Sequence, residues 1–268
     1  MRYFDAHCHI QFPQYEEDRQ SLIASMSEAG VGGIVVGVDR DSSEKALTLV
    51  KDSSTLFAAA GLHPNYTQEQ EFELDAFREL LQEPKMVAVG ECGLDYFRPE
   101  DVAGATGLQK EVFSQHIELA AETRKPLMIH ARPSKGMQDA YRDAIEILAS
   151  AKREYGDALT GNMHFFVGGI DEARAFIDLD FTLSYTAVLT FTHDYDEVVR
   201  FAPITHLLTE TDSPYAAPAP NRGKRNDPLA VRAVVEAMAG IRGEDPESVR
   251  VNILQNAHRV FKLPPESF

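Results

Sequence analysis

An α/β fold, a closed (β/α)8 barrel of the TIM type, is what this sequence predicts, on three observations. Eight short apolar runs recur along the chain, and amphipathic stretches of helical spacing separate most of them. Several runs are apolar throughout, as parallel strands covered on both faces require. Eight β and α units fit a chain of 268 residues, since a barrel of this kind takes typically ~250 residues. Alternation of this sort argues for a parallel sheet. The competing architecture is an open doubly wound sheet. It expects a glycine-rich fingerprint after the first strand, and none is there.

In chain order, RYFDAH (2–7) reads as the first strand. Residues 17–29 then set Leu22, Ile23, Met26 and Ala29 at helical spacing, and Gly30 is the expected stop. GGIVVGV (32–38), LFAAAGL (56–62) and MVAVGE (86–91) supply strands two to four. A helix over 107–124 places Val112, Phe113, Ile117 and Ala120 on one face. Pro126 ends it and opens the fifth strand, PLMIHA (126–131). Helical spacing returns over 135–154, briefly over 171–178, and over 228–241. Between these lie strands NMHFFV (162–167), FTLSY (181–185) and HLLTET (206–211). A last helix and an LPPESF end finish the chain. No long linker, repeat or low-complexity tract divides residues 1–268, which predicts a single barrel domain.

With 44% hydrophobic residues the chain can bury a sizeable core, which excludes disorder and disulfide scaffolds. No run approaches the ~18 apolar residues of a membrane helix, and no signal peptide is visible. The two cysteines, Cys8 and Cys92, have no CxxC partner, and a cytoplasmic home is the expectation. The formal charge of −16 argues against general, tight nucleic-acid binding but not against a phosphodiester substrate held at divalent cations.

Chemistry in such a barrel sits at the C-terminal ends of the strands. The first strand ends in two histidines, and alternation would set Asp5, His7 and His9 on one face, with Ala6, Cys8 and Ile10 on the other. Two imidazoles side by side can chelate a metal. Further along, GLHP brings His63, GECGLDYF brings Glu91 and IHARP brings His130. NMHFFVGG brings His164, and TETDSP brings Glu210 and Asp212; Asp39 follows the second strand. Five of the nine histidines thus fall on one rim, while His116, His193, His206 and His258 read as structural or surface groups. Five histidines and these acids on one ring point to metal binding, because a metal satisfies several buried polar groups at once. His7, His9, Glu91, His130, His164 and Asp212 make six ligands, too many for one catalytic zinc, so two divalent ions are expected, bridged by the two oxygens of Glu91. Such a pair holds both oxygens of an in-line displacement, which is hydrolytic chemistry. Glu210 would share a face with Asp212 and orient a ligand, or else only pair with Arg132 or another base at the rim.

DAHCHI, GLHPN, AVGECGLDYF, KPLMIHARPS, LLTETDSPY and RGKRNDP, in this order and spacing, resemble the TatD-type metal-dependent deoxyribonucleases of the amidohydrolase-like barrel superfamily. The resemblance spans the chain from Asp5 to the closing NAHRVF. It implies a distorted barrel, one to three divalent ions and hydrolysis of DNA phosphodiesters. His7 and His9 match the first ligand pair, Glu91 the bridging acid, and His130 and His164 the next ligands. Asp212 matches the last ligand, which also takes a proton from the attacking water. His63 matches a histidine of the same pocket, beside the ligands or on the phosphate. Arg222, Gly223, Lys224 and Asn226 match a late RGKxN motif that could present charge to a phosphate, or form a solvated loop. The chain departs from the family in HFFVG for HCFSG (Phe165 and Val167) and in HARPS for HSRDA (Ala131 and Pro133), changes that bear on substrate choice.

The expected enzyme is therefore a metal-dependent nuclease. Asp212 and Glu91 are the catalytic candidates, and DNA, single-stranded or at its ends, is the substrate. Zinc, manganese, iron and nickel suit the mixed N/O donors, and magnesium is a further candidate as an ion with which hydrolytic relatives are assayed. Two other readings stay open: a lactone, ester, amide or acyl-tRNA hydrolase on the same metals, and a metal- or partner-binding protein without turnover. No membrane association or obligate protein partner is expected.

Overall fold

The computed structural model describes residues 1–98 and 102–265; the end of the LPPESF segment, residues 266–268, lies outside the described residues. The eight strands are β1 (Tyr3–Cys8), β2 (Val31–Val36), β3 (Leu56–Ala60), β4 (Met86–Asp95), β5 (Leu127–Arg132), β6 (Gly161–Met163), β7 (Phe181–Tyr185) and β8 (Leu207–Thr209). They lie in one sheet in sequence order, all neighbours parallel. Backbone bonds from Asp212 N to His7 O (2.9 Å) and from His9 N to Ser213 O (2.8 Å) link the end of β8 to β1. The Asp5 carboxylate strengthens the same seam, accepting from Thr211 N (2.8 Å) and Thr211 Oγ1 (2.5 Å). The barrel is nearly closed, and every apolar run read as a strand is one. β4 continues beyond Glu91 to Asp95, whereas β6 stops just short of His164.

Among the described residues the helices are α1 (Arg19–Glu28), α2 (Arg40–Val50), α3 (Leu74–Leu80), α4 (Val102–Thr123), α5 (Asp139–Tyr155), α6 (Ile170–Asp178), α7 (Asp196–Phe201), α8 (Val231–Arg242) and α9 (Pro246–Phe261). Their ends follow local rules. Gly30, with φ +67°, follows α1 as expected. Asp39 is no rim ligand. Its carboxylate accepts from Ser42 N (2.7 Å) while the Ser42 hydroxyl accepts from Asp39 N (3.0 Å), a reciprocal cap that starts α2. Asp245 caps α9 through Ser248 N (2.9 Å), ahead of Pro246. No helix among the described residues is long and apolar enough to cross a membrane.

The core has two layers. The larger lies between helices and strands; the smaller, with Ile34, Phe57, Met128 and Leu208, fills the barrel interior, and Leu254, Ala257 and Phe261 of α9 close it from below. The strict alternation read for β1 fails here. Pairing with β2 slips between Asp5 and Cys8, so Phe4 and Ala6 join the inner layer while Cys8 packs in the outer one. A second slip lies between Val89 and Cys92 of β4. Each bulge rephases its strand just ahead of a metal-ligating candidate, turning His7, His9 and Glu91 inward. Asp5 is displaced from their face into the β1–β8 seam.

Candidate metal centre

All six residues read as ligands meet at the C-terminal mouth of the barrel, around the two oxygens of Glu91. Oε2 lies 3.4 Å from His7 Nε2 and 3.7 Å from His9 Nε2, and those two nitrogens are 3.1 Å apart. Asp212 Oδ1 joins this group at 3.5 Å from His9 Nε2 and 3.9 Å from His7 Nε2. Oε1 faces the other way, 3.1 Å from His130 Nδ1, 3.3 Å from His164 Nε2 and 3.3 Å from His63 Nε2. Asp212 reaches its position with φ +49°, a left-handed conformation that Asp tolerates better than most residues.

Outer partners fix the tautomer of four of the five rings, while His7 Nδ1 has no partner among the described residues. His9 Nδ1 donates to Val36 O (2.8 Å), so its Nε2 carries a lone pair toward Glu91. His164 Nδ1 donates to Glu210 Oε1 (3.0 Å), which frees Nε2. His130 is reversed: Nε2 donates to Asp95 Oδ2 (3.2 Å), leaving Nδ1 bare. His63 differs in kind. Its Nδ1 accepts from Asn65 N (3.1 Å), so Nε2 bears the proton and points it at Glu91. In this geometry His63 is a donor to Glu91 rather than a lone-pair donor facing it. Glu210 is buried and accepts from His164, from Phe165 N (2.7 Å) and from Ser184 Oγ (2.6 Å). It orients His164 and makes no pair with Arg132, whose guanidinium lies on the Phe97 ring instead.

The donor set fits divalent metal. Bare imidazole nitrogens and carboxylate oxygens, all lone-pair donors, crowd to separations of 3.1–3.9 Å. Bonds of ~2.0–2.1 Å to a tetrahedral ion imply ligand separations of about 3.3 Å. Positive charge is also what the electrostatics ask for. Burial alone would raise Glu91, but the surrounding imidazoles, His63 and His7 first and then His130 and His164, hold it well below the carboxylate range. Burial works against protonation of His164, His130 and His9. Glu210 overcomes it at His164, Asp95 and Glu91 at His130, and Asp212 and Glu91 at His9, so all three rise. His7 is driven down to about 3 by burial and by neighbouring His164.

Other candidates fall elsewhere. Arg222 is exposed, 4.0 Å above the Phe191 ring, and Lys224 Nζ lies 3.5 Å from Asn221 Oδ1; neither touches the donor cluster. Asn226 is buried and donates to Thr211 O (3.2 Å), tying down the loop after β8. Gly223 takes φ +81° in that loop. His116 is a core residue, while His193 pairs with Asp196 (3.2 Å) and His206 lies 3.6 Å from Asp180. Asp95 joins the site without being among the residues that the strand-end motifs mark. It is legible in the sequence, because it stands four residues after Glu91 and even spacing along a strand keeps one face. Asn65, which donates to Asp95 Oδ2 (3.1 Å), had no such signal.

A parallel barrel with a carboxylate set between two groups of imidazoles at its C-terminal mouth defines the class: a metal-dependent hydrolase. Within that class the chain belongs to the TatD related DNase family, whose model matches residues 4–262. It is 36% identical to the metal-dependent hydrolase YabD of Bacillus subtilis, over 97% of this chain and 99% of that one. It is 29% identical to the 3′-5′ ssDNA/RNA exonuclease TatD of Erwinia billingiae, over 97% and 99% of the two chains. The crystal structure of the TatD homologue YjjV from Escherichia coli superposes with a TM-score of 0.88 at 25% identity, covering 98% and 99%.

Proposed function

We propose that this protein hydrolyses phosphodiester bonds in single-stranded DNA or at DNA ends, with two divalent ions held on either side of Glu91. The observation that carries the reading is the division of the donors. His7, His9 and Asp212 gather at one oxygen of Glu91, and His130 and His164 at the other. Kinship with a chain named a 3′-5′ ssDNA/RNA exonuclease supports nucleic acid as the substrate. Bound there, the ions would supply Lewis acidity to the phosphoryl group and lower the pKa of a water.

The rest is the work of the chain. Glu91 fixes the separation of the two groups, Glu210 and Asp95 lock the rings of His164 and His130, and His63 Nε2–H steadies Glu91. Asp212 is the proton acceptor for the attacking water. Its side chain is 15% exposed against 4% for Glu91, 1% for Asp95 and 0% for Glu210, so a proton taken there has a route to solvent. Cys8 and Cys92, both free and buried, fit a reducing cytoplasm.

A substrate panel tests the reading. End-labelled single-stranded DNA, lactones and esters are compared with manganese or magnesium added, for the wild type and Asp212→Ala. Loss of end label from DNA, abolished in the variant, is expected. Activity confined to the carbonyl substrates would overturn the assignment.

A further inference from the structure

Among the described residues four large apolar side chains are markedly exposed, and three of them stand on loops at the catalytic mouth: Phe97 (50%) after β4, Met137 (55%) after β5 and Tyr215 (52%) after β8. Exposed large apolar side chains gathered at one end of a barrel need an explanation that scattered ones do not. The same mouth carries the two closest arginine–aromatic stacks among the described residues. Arg132 lies 4.1 Å from the centre of the Phe97 ring, and Arg222 lies 4.0 Å from that of Phe191. Neither guanidinium has a carboxylate within ion-pairing distance among the described residues, in a chain of net charge −16. The Phe97 platform is also anchored to the donor cluster. Its backbone N–H donates to Asp95 Oδ1 (3.0 Å), and the other oxygen of Asp95 holds His130 (3.2 Å). Burial raises the Tyr215 hydroxyl, and Asp212 raises it further, as befits a ring at the lip of the cluster.

We propose that Phe97 with Arg132, Tyr215, and Phe191 with Arg222 form a strand-binding platform, on which bases of a single-stranded polynucleotide stack while the two guanidinium groups meet its phosphates. The proposal rests on the phosphodiesterase reading above and adds what selects the substrate. Arg132 lies over one face of Phe97, a residue that is half exposed, and a base on the opposite face would complete a base–phenyl–guanidinium sandwich. Stacking of this kind tolerates any base sequence, because every base has a π-face, and it requires bases that are not already stacked in a duplex. The paired arginines give local positive charge where the overall field is repulsive, so the platform takes a short stretch of strand and not a long duplex.

The test uses the metal-loaded full chain and a fluorescein-labelled oligothymidylate with phosphorothioate linkages, read by anisotropy. Turnover of bis(p-nitrophenyl) phosphate, a diester without bases, is measured alongside. Phe97→Ala should weaken oligonucleotide binding on the order of tenfold, a fall well beyond any change in small-diester turnover, and Phe97→Tyr should restore it. An oligonucleotide with abasic positions should bind the wild type more weakly and be indifferent to Phe97→Ala. Arg132→Gln should flatten the dependence of log K on log salt by about 0.7. Equal binding of abasic and intact strands, or unchanged binding in both variants, would overturn the platform. Should the small diester resist hydrolysis while these binding differences persist, the platform stands and the phosphodiesterase reading falls.

Discussion

The lower and upper halves of the barrel interior are built on opposite principles, often a single pleat apart on the same strand. Met128 packs in the apolar interior and His130, two residues on, faces Glu91; Leu208 packs below and Glu210 holds His164 above. The lower half buries Ile34, Phe57, Met128 and Leu208 under α9 and stabilises the fold by removing apolar surface from water. The upper half buries His7, His9, Glu91, Asp95, His164 and Glu210 at 3% exposure or less. Polar burial of that density costs stability unless every group is paired. Pairing runs through one carboxylate shared among five imidazoles, with a further carboxylate behind each of two of them; of these rings only His7 keeps a buried nitrogen, Nδ1, without a partner among the described residues. Stability is made in one half and spent on reactivity in the other.

Substitutions that separate the halves sharpen this contrast. The largest effect is expected from Phe57→Ala, which opens a cavity under the site. Urea unfolding should show a loss of about 3–5 kcal/mol, with kcat/KM of the folded fraction unchanged. Glu91→Gln should do the reverse. It removes the charge that both donor groups share, so kcat should fall about 10²–10³-fold, or about 2.7–4 kcal/mol, and elemental analysis should find metal lost. Its far-ultraviolet circular dichroism should match the wild type. A parallel fall in activity for Phe57→Ala would mean that the halves are not separable.

The smallest effect comes from a histidine outside both halves. His116 on α4 is fully buried, accepts from Leu62 N at Nε2 (3.0 Å) and donates from Nδ1 to Val112 O (2.8 Å). Both nitrogens are therefore committed in the neutral form, and burial pushes the ring down to about 4 from an ordinary 6.5. The unfolded chain binds this proton below 6.5 and the folded chain refuses it until about 4, so its contribution is full above pH 6.5 and is lost as the pH falls through that window. The contribution at stake is up to about 3 kcal/mol. Urea titrations at pH 7 and pH 4.5 should show a shallower fall for His116→Gln than for the wild type. An identical pH dependence would contradict the neutral, doubly bonded assignment.

The contrast also explains what was legible in the sequence. Apolar runs give the strands because parallel strands are covered on both faces, and the histidines stand out because they interrupt those runs at their C-terminal ends. What stayed hidden is phase. A bulge leaves no composition signal, so alternation sets Asp5 with His7 and His9 although it belongs to the β1–β8 seam. The same blindness hid the orientation of each ring. That His130 presents Nδ1 while His9 and His164 present Nε2 depends on Asp95, Val36 and Glu210, partners brought together only by closure of the barrel. Arg222 and Lys224 match a motif, yet sequence could not say that they stop short of the donors.

Anomalous diffraction from crystals of the protein loaded with manganese addresses the division of donors about Glu91 most directly. Two peaks are predicted, one bordered by His7 Nε2, His9 Nε2, Glu91 Oε2 and Asp212 Oδ1, the other by Glu91 Oε1, His130 Nδ1 and His164 Nε2. Manganese bound away from Glu91, or absent from both positions, would contradict the account.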